Sequence, residues 1–134
     1  EDFEALKTST DKGDRAGLLP WLEGNAKAEL VKGDRDIFGD RSVMMLNTPG
    51  HTPGHHALLV RLAGKGWVLL SGDLFHARES YDFNQVPAFN MDRADTLASI
   101  DRFKGIAVNL KALVIVQHEA GDVGKLPAFP EGAN

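Results

Sequence analysis

Between residues 42 and 72 the chain alternates short apolar runs with tight breaks. Residues 42–47, 56–62 and 67–72 read as strands, and the Gly64-Lys65-Gly66 turn joins the last two as an antiparallel hairpin. Residues 112–117 form another strand-like run, and 28–33 and 35–40 read as two shorter strands around Gly33-Asp34. The period lengthens to three and four over residues 91–111, where Leu97, Ile100, Phe103 or Lys104, Ala107 and Leu110 recur and Asp92 can cap. That spacing predicts a helix, weakened in its second half by Gly105. Residues 1–10 read as a short helix and 11–17 as a loop. Residues 18–22 are an apolar patch in which Pro20 can start a turn and Trp21 packs. Residues 74–90 are rich in Phe and polar residues and are interrupted by Pro87. They read as an irregular connection of the kind that walls an active site.

Composition narrows the classes. The chain has 134 residues, 43% of them hydrophobic and 25% charged, which suits one globular domain. A net charge of −4 with dispersed Lys and Arg argues against nucleic-acid or anionic-membrane partners. No apolar run has membrane-spanning length, and no signal peptide is visible at Glu1, so the cytoplasm is favoured without being fixed. With no cysteine, a metal would have to be held by His and carboxylate, as suits Zn, Fe or Mn. Neither a phosphate loop nor a serine elbow around Ser71 is present.

The chemistry gathers at strand ends. Thr48-Pro-Gly-His51-Thr-Pro-Gly-His55-His56 cannot be helical, because Pro sets φ and Gly permits positive φ; it presents His51 on a tight loop. The run before Asp73 and the run before His118 each end in a metal-competent side chain. The order of this loop, a strand ending Ser71-Gly-Asp73, a helix and a strand ending in His118 resembles the metallo-β-lactamase superfamily. Gln85-Val-Pro-Ala-Phe-Asn-Met-Asp92, leading into Ser99-Ile-Asp-Arg-Phe, resembles more specifically the N-acyl homoserine lactonases. The ending Val116-Gln-His118-Glu119 and the pair Phe129-Pro130 with Glu131 are compatible with that branch.

The resemblance implies an α/β fold, the αββα sandwich, with a mostly antiparallel sheet and flanking helices. It implies a hydrolase that opens a lactone ring by a metal-bridging hydroxide, using two divalent ions, Zn or alternatively Fe, Mn or Co, about 3.5–4 Å apart. His51 would bind the first ion, His118 the second, and Asp73 both. His76 occupies the place of the family's catalytic tyrosine and could still donate a hydrogen bond. His55 is expected to support the ligands, and His56 to pack or face solvent. Phe75, Phe83 and Phe89 would wall an acyl-chain pocket, their plainer reading being core packing. A thioesterase resembling glyoxalase II, a broad esterase, and a catalytically silent fragment or pairing module are the alternatives.

His-x-His-x-Asp-His, which carries most of the family's ligands, does not occur among the five histidines. Residues 1–134 therefore read as the C-terminal portion of one such domain. Half a sandwich leaves a sheet face bare, and about 1.5–3 kcal/mol attends each large apolar side chain so uncovered. The N-terminal half is accordingly expected as a further segment or a second chain. A homodimer is left open; the other partner expected is a small lactone or ester.

Overall fold

A computed structural model describes residues 2–8, 27–128 and 130–133. The loop 11–17, the apolar patch 18–22 with Trp21, and Phe129 lie outside the described residues.

Helix α1 (Asp2–Thr8) precedes five strands: β1 (Arg35–Asp36), β2 (Val43–Asn47), β3 (His56–Leu62), β4 (Gly66–Leu70) and β5 (Leu113–Ile115). They form one sheet in the order β1-β2-β3-β4-β5, antiparallel except where β5 lies parallel to β4. Between β4 and β5 run a 3-10 turn (Gly72–Leu74), α2 (Arg78–Phe83) and α3 (Arg93–Leu110); α4 (Ala120–Val123) follows β5. The parallel pairing requires a crossover, and α3 supplies it.

Strand alternation sorts the side chains. Leu46 opposes Ala57, and Leu59 opposes both Met44 and Leu69, so these residues share a face. They join Ile100, Phe103 and Ala107 of α3, together with Leu74, Phe75 and Val116, in one core. The opposite face is apolar too. Val43, Val60, Val68 and Leu113 form one cross-strand row, and Met45, Leu58, Leu70 and Ile115 the next. Of these eight, only Val68 and Ile115 are buried.

Helix α3 begins as its cap predicts, with the Asp92 side chain accepting from the Asp95 N–H, and it ends on Lys111 at φ 50°. Its buried stripe is rotated from the apolar one. Thr96 and Ser99 are buried beside Ile100, Phe103 and Ala107, whereas Leu110 is 37% exposed. The reason is polar docking. Ser99 donates to the Pro49 carbonyl at 2.7 Å, and the Asp92 N–H donates to the Gly50 carbonyl at 2.9 Å. The start of α3 is thereby fixed to the histidine loop.

Four sequence expectations change. Residues 28–33 form no strand, and 35–40 shortens to β1, because the Asp36 carboxylate accepts from the N–H groups of Gly39 and Arg41 and folds the chain into a turn. The connection 74–90 is not wholly irregular: it contains α2, ended by Asn84 in the left-handed region at φ 54°. Strand 67–72 stops at Leu70, because residues 72–74 turn to present Asp73. Among the described residues no helix is long and apolar enough to cross a membrane.

Gly50 has φ +130°, and a Cβ there would lie 2.3 Å from Thr96 Oγ1 and 2.4 Å from its backbone nitrogen. Backbone strain and forced separation of α3 from the loop both oppose a side chain. Gly50→Ala is expected to destabilise the chain by about 2–4 kcal/mol, read as a lowered urea midpoint. An unchanged midpoint would refute the close docking of α3.

Candidate metal centre

Strands β2 and β4 both run antiparallel to β3, and β5 runs parallel to β4. The C-terminal ends of β2, β4 and β5 therefore meet at one edge of the sheet, which is where the loops bearing His51, Asp73 and His118 begin. Side chains separated by tens of residues converge there on Asp73. Its Oδ1 lies 2.5 Å from His118 Nε2, and its Oδ2 lies 3.7 Å from His51 Nε2. Each carboxylate oxygen thus faces a different imidazole.

The surroundings orient these groups. His51 Nδ1 donates to Asn90 Oδ1 at 3.2 Å, which leaves the Nε2 lone pair toward Asp73. Asn90 in turn donates to Thr96 Oγ1 at 3.1 Å. His55 Nε2 accepts the Asp73 N–H at 2.9 Å, and its Nδ1 donates to the Thr48 carbonyl at 2.9 Å. This fixes the tautomer of His55 and ties the turn after β4 to the loop after β2. Gly72 makes the approach feasible: it sits at φ +56°, and a Cβ there would lie 2.7 Å from His55 Nε2. The Gly72 N–H also donates to Gln117 Oε1, joining that turn to the residue before His118.

No family model matches the sequence. An N-acyl homoserine lactonase from a Bacillus species is 34% identical over 107 residues, covering 80% of this chain and 42% of that protein. The N-acyl homoserine lactonase AttM of Azorhizobium caulinodans is 32% identical over 106 residues, covering 79% of this chain and 39% of that protein. A solved N-acyl homoserine lactone hydrolase, with the product N-hexanoyl-L-homoserine bound at its catalytic metal centre, matches with a TM-score of 0.78. That match has 26% identity and covers 96% of this chain and 48% of that one. The chain is thus similar to part of the N-acyl homoserine lactonases and has their metallo-β-lactamase fold. It spans less than half the length of these relatives.

Within this chain the aromatic residues part company. Phe75 is fully buried and packs edge-on against Tyr81 and Phe103, so it belongs to the core and cannot wall a pocket. Phe83 is 71% exposed at the end of α2, and among the described residues no ring contact joins it to the imidazoles. Phe89 stands at the site, its ring centroid 4.8 Å from that of His76 and 6.1 Å from that of His51. The ring of His76 also stacks on His118, with centroids 5.2 Å apart. His56 turns away from Asp73 and places its ring nitrogens 2.7 Å from the Gly54 carbonyl and 3.1 Å from that of Gly33.

Sequence reasoning assigned no role to three residues that shape this edge. Asn90 orients His51. Asp2 accepts from Thr52 Oγ1 at 2.5 Å and from the Gly54 N–H at 2.9 Å, bracing the histidine loop. Asp122, only 3% exposed, accepts from the Val116 N–H at 2.9 Å and Lys125 Nζ at 2.6 Å, and pairs with the Arg78 guanidinium. It anchors the chain two residues before His118. Local pattern hides these roles, since the partners lie up to 52 residues away. Only the cluster Gln85 to Asp92 flagged Asn90's neighbourhood.

Electrostatics follow from the contacts. The His118 hydrogen bond holds the Asp73 carboxyl below its ordinary range, against the opposing effect of partial burial, and His51 adds to the lowering. Burial pushes the His76 imidazole down, and His51 and His118 push it further. Burial also pushes His55 down, partly offset by its bond to Thr48 and by the Asp73 charge. A histidine with a lowered folded pKa binds fewer protons folded than unfolded, so its contribution is complete above its ordinary value of 6.5 and declines as pH falls through and below it. In EDTA-treated protein, His55→Gln, which keeps an acceptor but does not titrate, should flatten the loss of thermal stability between about pH 7.5 and 5.5. Parallel melting curves for the two proteins would refute the assignment.

Proposed function

We propose that this chain supplies part of a dinuclear metal hydrolase site that opens the ring of N-acyl homoserine lactones. The observation that carries the reading is the Asp73 carboxylate set between His118 Nε2 and His51 Nε2, one oxygen toward each. The donor set suits borderline divalent cations, Zn foremost, because it offers imidazole nitrogens and carboxylate without sulfur. His76 Nε2, shielded from solvent and without a hydrogen-bond partner, is a polar atom that such a cation would satisfy. Divalent ions held by His51, Asp73 and His118 would supply Lewis acidity, polarising the lactone carbonyl and acidifying water.

The chain's own residues do the rest. Asn90 keeps the His51 lone pair aimed inward, and His55 holds the backbone of Asp73 so that its carboxylate cannot swing away. Phe89, 66% exposed beside two imidazoles, offers an apolar wall for the acyl chain. The two apolar rows on the sheet face away from α3 match a sandwich in which a second sheet covers them, and the N-terminal portion of the domain would bring that sheet along with further ligands. The small-molecule partner is then a lactone with an apolar acyl tail.

The test is ring opening of hexanoyl-homoserine lactone by the complete protein, followed as acid release. Chelation should abolish it, Zn2+ should restore it, and Asp73→Asn should not be restored. Activity indifferent to chelators, or a clear preference for thioesters, would refute the reading. Separately, Asn90→Ala should weaken Zn2+ binding roughly 10–100-fold in competition with a chromogenic chelator while leaving the circular dichroism spectrum unchanged.

A further inference from the structure

His76 lies closer to the centre of the site than a bystander needs to. It follows the 3-10 turn that carries Asp73, and the intervening Leu74 and Phe75 are both fully buried, which pins the turn to the core and fixes where His76 stands. Its ring is enclosed by three others: Phe89 at 4.8 Å, His118 at 5.2 Å and His51 at 5.3 Å between centroids. Nε2 is shielded from solvent yet has no hydrogen-bond partner. A buried polar atom left unsatisfied costs about 1–3 kcal/mol, so a site that retains one invites a ligand. Among the described residues, the group able to offer three ligand atoms to one ion is Asp73, His76 and His118, with the atoms within 4.8 Å of one another. Tetrahedral coordination at Zn–N distances near 2.0–2.1 Å brings ligand atoms to roughly 3.4 Å apart, which small side-chain rotations can supply.

We infer that His76 is a metal ligand, forming with Asp73 and His118 a three-residue cation site within this chain. The inference rests on the metal-centre reading above and departs in one respect from the donor role that the sequence resemblance implies for His76. A nitrogen that gives its lone pair to a cation carries no proton, so His76 does not donate a hydrogen bond from that atom. Burial favours the neutral imidazole that coordination needs. Three protein ligands with a coordination position left open are the number used by catalytic zinc sites. The chain would then hold one ion with its own residues, whereas His118 and Asp73 alone fall short of that number.

The experiment is a Zn2+ titration of the isotope-labelled complete protein, followed by long-range proton–nitrogen spectra that resolve each histidine ring. Expected is a metal-dependent shift of one His76 ring nitrogen in the same step as His118, with one ion bound in that step. His76→Phe should weaken that step by at least about tenfold, and His76→Gln should do so if the aromatic replacement perturbs the fold. Shifts of His51 and His118 with His76 unmoved would overturn this inference and leave the metal centre standing. No histidine responding to Zn2+ would overturn both.

Discussion

The carboxylate of Asp73 is the point on which this molecule's site depends. It is held by opposite means at its two ends: the backbone N–H is gripped by His55, and the side-chain oxygens are shared between His51 and His118. An imidazole spent on a backbone amide does no chemistry itself, but it joins two turns that would otherwise move independently. Preorganisation of this kind fixes a carboxylate that must face two directions at once. Gly72 is part of the same device, because any side chain there would push His55 off the amide.

Around that point the fold works as a clamp with two layers. One face of the sheet is sealed by Ile100, Phe103 and Ala107 of α3, and the first turns of that helix reach past the sheet to the histidine loop through Ser99, Thr96 and Asp92. On the far side, Asp122 uses a buried negative charge, met by Arg78 and Lys125, to hold the strand end that leads into His118. The apolar core positions the elements to within a few ångströms, and the polar ties refine the loops that carry the ligands.

Much of this was legible in the residues. The Thr48 to His55 loop forbids helix by its prolines and glycines, the strands around it are short apolar runs, and Asp92 announces the start of α3. Asp73 and His118 stand out because each closes an apolar run, and His51 because it sits on a tight Pro-Gly loop between two such runs. Less legible were the details that answer to distant partners. The buried stripe of α3 includes Ser99 because its hydroxyl donates to the Pro49 carbonyl of the histidine loop, and Thr96 because its hydroxyl donates to the Asp92 carbonyl and accepts from Asn90, which no periodicity of apolar residues reveals. Phe75, Phe83 and Phe89 look alike on paper, yet one is core, one is surface and one stands beside the imidazoles.

The amino-acid order by itself determined where the strands break, which side chains could bind a cation, and that none of these 134 residues offers a thiolate, because these depend on residue type and on neighbours a few positions away. Tertiary structure alone decided that β2, β4 and β5 end at one edge, that Asn90 and Asp122 support the histidines, and that the His76 ring packs among His51, Phe89 and His118 with its Nε2 shielded from solvent. The physical reason is range. Dihedral preference and hydrophobic period act over one or two turns of chain, whereas strand register and buried hydrogen bonds join residues tens of positions apart.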